Sequence, residues 1–319
     1  MRLTGVDLLL TFRCPSQCKH CVYKAGPQRA GHMNYENIRR WLAELKNTQP
    51  LEGITVHGGE PTVFFDTLLF AISTAKQLDI PKRGIITNGY WASTESIAQN
   101  TLRKLQQAGL TQITFSVDSF HQEFIPFEDV RRGVEAASQM SFDHIWVDSQ
   151  FLELETPSNE YDIRTQKLLD ALTEIPGIEI STYQVDFEGR AADTLSHLVL
   201  THSDAPTGKC QLPYWLGKTL REPKTIEIDY EGNVTLCPGI CIGNAKTTPL
   251  HHLLGEYEPR DHVIIQRLAE KGPIGLFELV KEKGVSVKQK FVDECHLCYE
   301  MRKHLRAYYP QLLQPSHCY

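Results

Sequence analysis

The sequence predicts an α/β fold: a partial, TIM-like (β/α)6 barrel followed by a small C-terminal unit of β-hairpin and helix, rich in cysteine. Three observations lead there. Short apolar runs alternate with helix-period stretches over residues 1–190. Six such runs are too few for a closed eight-stranded barrel. The nine cysteines form two groups, at 14–21 and at 210–318, with none between.

In chain order the predicted strands are 6–12, 54–57, 84–87, 112–117, 144–152 and 178–184, and the helical patterns between them are 35–46, 67–77, 93–108, 127–140 and 164–172. In such an order every strand is parallel to the next, and loops at the strands' C-terminal ends form the functional rim. The barrel is assigned to 1–190, a polar crossing linker to 191–208 and the cysteine-rich unit to 209–319. In that last unit, 225–229 and 233–236 read as a hairpin turning at Tyr230-Glu231-Gly232. Residues 249–283 read as helix broken at Gly272-Pro273.

Composition narrows the function. The chain carries 33 basic and 39 acidic residues, net −6, with the bases scattered, so nothing predicts capture of nucleic acid. The apolar run at 6–12 is interrupted by Asp7 and is too short for a membrane span or a signal-peptide core, which makes a cytoplasmic enzyme the expectation. In that reducing compartment, grouped cysteines with C-x-x-C spacing read as metal or cluster ligands, and an odd total cannot pair completely.

Cys14-x-x-x-Cys18-x-x-Cys21 directly follows the first predicted strand. Such a loop can offer three thiolates to three irons of a cubane and leave the fourth iron free of protein ligands. Zinc is the alternative, with His20 as the local fourth ligand. Three further segments fall on the same rim: His57-Gly58-Gly59-Glu60-Pro61-Thr62, Ile86-Thr87-Asn88-Gly89 and Phe115-Ser116-Val117-Asp118. Paired glycines let backbone approach a ligand closely, because neither has a Cβ.

Over residues 5–190 these features resemble the radical-SAM superfamily, with its C-x-x-x-C-x-x-C loop and Gly-Gly-Glu strand end. The resemblance implies a [4Fe-4S] cluster on Cys14, Cys18 and Cys21 whose unique iron chelates S-adenosylmethionine, reductively cleaved to a 5′-deoxyadenosyl radical. It places His20 beside the adenine and Gly58, Gly59 and Glu60 at the methionyl amine. Asn88, Ser116 and Asp118 become candidates for ribose or substrate. Arg190 is a candidate for the cofactor's carboxylate, since arginine binds carboxylates bidentately. An electron donor such as flavodoxin or ferredoxin is the implied partner.

Cys210, Cys237 on the hairpin and Cys295-x-x-Cys298 resemble the twitch form of the SPASM auxiliary domain, which implies a second, fully ligated [4Fe-4S] cluster. A structural zinc ribbon could use the same four ligands. Cys241 follows Cys237 by a short loop, whereas Cys318, next to the last residue, reads as frayed or incidental.

Finer features resemble the epipeptide epimerases, which invert residues of ribosomally made peptides: Ile86 to Trp91, Asp118-Ser-Phe-His121, the Cys-x-x-Pro-Tyr run from Cys210, and Cys295-x-x-Cys298 with Tyr308-Tyr309-Pro310. In that family a cysteine directly after the hairpin ligand returns the hydrogen atom, and here that position is Pro238. Cys241 becomes the substitute donor, with Asp118 and His121 the other catalytic candidates. Little chain precedes the cluster motif, so a peptide would be held by the barrel or by an external partner. The alternative chemistry is oxidation or cross-linking, with the auxiliary cluster as electron acceptor, on a peptide or a small molecule.

Overall fold

The structure is a computed structural model that describes all residues except 156–157, 211–218 and 288–289. Six parallel strands form the barrel wall: β1 (Gly5–Thr11), β2 (Gly53–Gly58), β3 (Lys82–Thr87), β4 (Gln112–Ser116), β5 (His144–Phe151) and β6 (Glu179–Gln184). Between successive strands run α1 (Tyr35–Thr48), α2 (Phe65–Gln77), α3 (Glu95–Ala108), α4 (Phe127–Ser138) and α5 (Glu160–Asp170). Every predicted strand and helix of residues 1–190 is present, because the apolar period is unambiguous there. Val6, Leu8 and Leu10 of β1, with Ile54, Val56, Ile113, Phe115 and Val147, pack on the helix side against Trp41, Leu42, Leu102 and Val134. Asn34, Thr94 and Asn159 cap α1, α3 and α5 through side-chain oxygens that accept from backbone N–H groups.

The other face of the wall lines the barrel interior. The register pairs Asp7 with Thr55, Leu9 with His57, Ser116 with Asp148, and Gln150 with Tyr183, so these side chains share that face. His57, Ser116, Asp148, Gln150 and Tyr183 are only half-buried, which leaves an accessible polar surface inside the barrel.

The cysteine-rich unit is joined to this wall more closely than a crossing linker suggests. A short helix, α6 (Arg190–Thr194), occupies the start of the expected linker. The hairpin strands β7 (Thr225–Asp229) and β8 (Asn233–Cys237) are present, and a third, β9 (Ile240–Asn244), follows. β7 pairs in parallel with β1 on the side away from β2, so the sheet runs β6-β5-β4-β3-β2-β1-β7-β8-β9. The indole of Trp41 donates to the Ala245 carbonyl at 3.1 Å, tying α1 to the end of β9. Helices α7 (Leu250–Gly255), α8 (Val263–Lys271), α9 (Pro273–Glu282) and α10 (Glu294–Leu305) complete the unit, with the predicted break between α8 and α9 at Gly272. No described helix is long and apolar enough to cross a membrane.

Cys318 is buried, not frayed. It packs with Leu9, Phe12 and Tyr23, its carbonyl accepts from the Tyr299 hydroxyl at 2.9 Å, and Tyr319 stacks on Tyr299. Two aromatic side chains that sequence periodicity does not connect hold it there.

The β1–β7 junction places Asp7 opposite Glu227. Burial, and then the Glu227 charge, push Asp7 up to about 8 against a hydrogen bond from Thr55, and burial pushes Glu227 up to about 7. The folded chain therefore binds protons that the unfolded chain releases above about pH 4. The resulting stabilisation is full below the unfolded pKa and is lost as pH rises through the folded values. Asp7→Asn is expected to flatten the fall in stability between about pH 5 and pH 9 and to be the more stable protein at the upper end. Urea midpoints across that range check it; a variant whose midpoint falls as steeply as the parent's would contradict it.

Candidate active site

The residues after β1 fold back on the strand they leave. Gly26 donates to the Phe12 carbonyl and Cys14 to the Gly26 carbonyl, each at 3.2 Å, closing a loop that carries Cys14, Cys18 and Cys21. Arg190 holds this loop from outside: its guanidinium donates to the carbonyls of Cys18 and Ala25 at 2.7 Å each, and its backbone N–H to the Cys21 carbonyl at 3.1 Å. Arg190 is thereby tied to the loop that carries the three cysteines. Gly189 has φ +57°, and a Cβ there would lie 2.2 Å from the Val22 carbonyl oxygen, so only glycine lets α6 approach the loop this closely.

Two of the sulfurs receive N–H donors, Ser16 and Asn88 on Cys14 at 3.4 and 3.6 Å and Ala25 on Cys21 at 3.4 Å. Burial, assisted by Glu60, raises the free Cys14 thiol to about 12, and burial with Cys21 raises Cys18 well above its ordinary value. Thiols aimed at sulfur hydrogen bonds but too buried to ionise alone fit a site where a cationic centre supplies the compensating charge.

The two glycines after β2 serve this loop. A Cβ on Gly58 or on Gly59 would sit 2.3 Å from the carbonyl oxygen of Thr11 or of Arg13, respectively. The Thr11 and Arg13 carbonyls accept from the N–H groups of Gly59 and Glu60 at 2.6 and 2.9 Å, which holds the glycine pair against the chain leaving β1. The Glu60 carboxylate is fully buried and accepts from the Thr62 and Thr87 hydroxyls and from the backbone N–H groups of Thr62 and Asn88. It braces the ends of β2 and β3. Asn88 is drawn into the same network and onto Cys14. Ser116 pairs in register with Asp148 on the inner wall.

The structure brings His20, Asp118 and His121 together. The His121 ring lies 2.9 Å from both Asp118 oxygens, His20 lies 3.8 Å from one of them, and the His20 ring rests against Phe120 and His121. Burial pulls Asp118 upward, but His121 and His20 outweigh it and hold the carboxyl at about 2. Burial lowers His20 to about 4, and its buried Nδ1 has no partner. The ligand atoms of Cys18, His20 and His121 lie within 4.8 Å of one another, a donor set that could also take a thiophilic divalent ion.

Cys210, Cys237, Cys295 and Cys298 also converge, each within electrostatic reach of another of the four and of Glu188. Pro213 and Tyr214 of the Cys-x-x-Pro-Tyr run lie outside the described residues. Cys241 lies elsewhere: on β9, three strand positions from β1 or about 14 Å at ~4.8 Å per strand. Its thiol is 3.1 Å from the Gly243 carbonyl oxygen. The spare thiol that adjoins the cluster loop is Cys318, partnered electrostatically with Cys21. Sequence reasoning missed Cys318, and also Asp148, which burial raises to about 6 on the inner wall. Strand alternation within β5 could have placed Asp148 inward.

Residues 8–148 match the Radical SAM superfamily model. A GTP 3′,8-cyclase of Haemophilus influenzae (strain 86-028NP) is 28% identical over 155 residues, 46% of this chain and 44% of that protein. Molybdenum cofactor biosynthesis protein moc-5 of Caenorhabditis elegans is 29% identical over 147 residues, 45% of this chain and 22% of that protein. The chain thus spans less than half the length of these curated relatives. The fold is similar across almost the whole chain to the solved structure of polyhistidine-tagged anSMEcpe with bound AdoMet, with a TM-score of 0.50, 13% identity and 98% of each chain covered.

Gly59→Val is expected to displace the Arg13 carbonyl and the loop behind it, so the variant should lose about four irons, the content of one cubane. Iron and sulfide assays after anaerobic reconstitution check this. Full iron content with only weaker S-adenosylmethionine binding would return the glycine to the cofactor.

Proposed function

We propose that this chain, a radical-SAM superfamily enzyme with a cysteine-rich C-terminal region, modifies a ribosomally made peptide, inverting residues by hydrogen-atom abstraction and return. Its three-cysteine loop is the [4Fe-4S] and S-adenosylmethionine site. With both bound, the site supplies a radical able to abstract hydrogen from an unactivated carbon. The protein's own residues set what that radical meets.

The inner wall carries the substrate reading. Above the barrel floor, where Lys82 opens β3, the inward positions of the six strands hold no Lys or Arg, but present Asp7, His57, Ser116, Asp148, Gln150 and Tyr183. Arg190 and Arg302, near the rim, are already engaged by backbone carbonyls, and Arg302 also by Glu188. A nucleoside triphosphate needs a cluster of cations. A neutral or cationic peptide segment, rich in backbone donors and acceptors, suits this polar, mildly acidic wall better. Resemblance to GTP 3′,8-cyclases covers 46% of this chain.

Hydrogen return requires an S–H group that stays protonated. Burial pushes Cys241 up to about 11 and Cys318 well above its ordinary value, so both remain thiols. Cys241 serves as donor if the substrate extends along the β7–β9 face. A second reading is oxidation, favoured by Asp148, a half-buried carboxylate on the inner wall with an affinity near neutrality. There the substrate radical would give its proton to Asp148 and its electron to an auxiliary cluster on Cys210, Cys237, Cys295 and Cys298, losing two hydrogens in all. An electron from a flavodoxin or ferredoxin would start either course.

Reconstituted protein is expected to hold about eight irons and eight sulfides, as two cubanes require. Stoichiometric zinc without iron would refute the cluster reading. With a peptide substrate in deuterated water, epimerisation should raise product mass by about one unit per inverted residue, the consequence of one returned deuterium. Cys241→Ala should abolish that uptake while S-adenosylmethionine is still cleaved. Persistent uptake in Cys241→Ala that disappears in Cys318→Ala would move the donor to Cys318. A loss of about two mass units, as removal of two hydrogens demands, would establish the oxidative reading instead.

A further inference from the structure

The four-cysteine group encloses a buried ion pair that neither course of the chemistry uses. Glu188 lies just after β6, and Arg302 lies one turn beyond Cys298 on α10. The Arg302 side chain is fully buried, with Nη2 at 2.6 Å from Glu188 Oε2. Its Nη1 donates to the carbonyl of Pro238, the residue after Cys237, at 2.6 Å and to the Tyr319 hydroxyl at 3.2 Å. The positive charge of the same guanidinium acts on the Cys298 thiol against the effect of burial. Glu188 uses its other oxygen, Oε1, to accept from the Cys237 thiol at 3.9 Å. One carboxylate and one guanidinium thus touch the Cys237 thiol and the carbonyl next to it, and the guanidinium lies within electrostatic reach of Cys298.

Burying such a pair is costly in desolvation, and apolar residues of the same volume usually stabilise a fold at least as well. The group it adjoins explains its presence better. Four thiolates around a cubane leave a net negative charge in a buried place, and reduction adds another. Guanidinium is the cation that cannot discharge by losing a proton, and its planar fork can reach several acceptors together. The unpartnered Nε of Arg302 leaves one donor still free in that environment.

We propose that Arg302, oriented by Glu188, is the charge-compensating positioning residue of the auxiliary cluster and raises its reduction potential. The inference rests on reading Cys210, Cys237, Cys295 and Cys298 as that cluster's ligands. A nearby positive charge favours the more negative, reduced cluster, and the Glu188 carboxylate, through its contact with the Cys237 sulfur, sets the limit to that effect. Glu188 keeps the guanidinium between Cys298 and Pro238, where it reaches both ligand-bearing segments.

The test is a redox titration of the full chain, anaerobically reconstituted and followed by electron paramagnetic resonance so that the two clusters are resolved. Two single variants separate the opposing charges of the pair. Glu188→Gln removes the anion and leaves Arg302 in place; it is expected to keep about eight irons, the content of two cubanes, with a higher midpoint potential for the second cluster and the first cluster unmoved. Arg302→Lys keeps the charge but not the fork, and should lower the second midpoint and speed iron release from that cluster to a chelator. A second midpoint unchanged in Arg302→Lys, or lowered in Glu188→Gln, overturns the proposal. If Glu188→Gln yields no soluble protein, Arg302→Lys decides alone, an unchanged second potential overturning it. Wild-type protein holding only about four irons would instead overturn the reading of the four cysteines as a cluster site, so the two failures are distinguishable.

Discussion

The rim of this barrel depends on one close packing, that of the chain leaving β1 against the chain leaving β2. At Gly58 and Gly59 the carbonyls of Thr11 and Arg13 occupy the space a Cβ would need, 2.3 Å away in each case. From this contact the cluster loop takes its origin and direction. The N–H groups of Gly59 and Glu60 bond back to the same two carbonyls, and the Glu60 side chain reaches on to Thr87 and Asn88 at the end of β3. Asn88 then returns to the Cys14 sulfur. Three strand ends and one thiol are therefore fixed by a single buried carboxylate, with its oxygens satisfied four times over, which is what a buried charge requires. The loop's far side is held just as closely, by Gly189 against Val22 and Arg190 on two carbonyls.

The strand pattern over residues 1–190 was legible because its physics is local: period-two and period-3.6 burial repeat without interruption, and the cysteine, glycine and Asp118-His121 motifs fall where those patterns stop. What could not be read is where non-local partners come from. β9 has only five residues, with Gly243 among them at φ +152°, so it carries little apolar signal and forms by pairing with β8. The placement of β7 beside β1 is likewise a pairing across more than two hundred residues. Arg190 reads from the sequence as a carboxylate ligand because its side chain suits one; that the Cys18 and Ala25 carbonyls accept from it follows only from how α6 folds back. Cys318 looked expendable by position, and burial among Leu9, Phe12 and Tyr23 reverses that reading.

Charges inside the molecule are handled in three distinct ways, and each suits its place. Asp7 and Glu227, adjacent on β1 and β7, meet burial by favouring the protonated form, with Thr55, Tyr23 and Thr235 as their hydrogen-bond partners. Asp118 meets it by accepting hydrogen bonds from the backbone and ring of His121, so it stays ionised beside Cys18. Glu188 meets it with a full counter-charge on Arg302. The first solution leaves no net charge in the sheet below neutral pH, the second keeps a negative charge near the cluster loop, and the third keeps a balanced ion pair beside Cys237.

These arrangements also make the barrel and the cysteine-rich region one mechanical unit. Residues 188–190 engage both cysteine groups within three consecutive positions: Glu188 through Arg302 and Cys237, Arg190 through Cys18 and Ala25. Between them, Gly189 is pressed against the loop and has no freedom to act as a hinge. A displacement of the four-cysteine group is therefore passed to the three-cysteine loop through a few covalent bonds, without a flexible intermediary. The same segment follows β6, whose inward residues line the barrel interior. Three consecutive residues after β6 therefore set where the two sets of thiols lie relative to that strand.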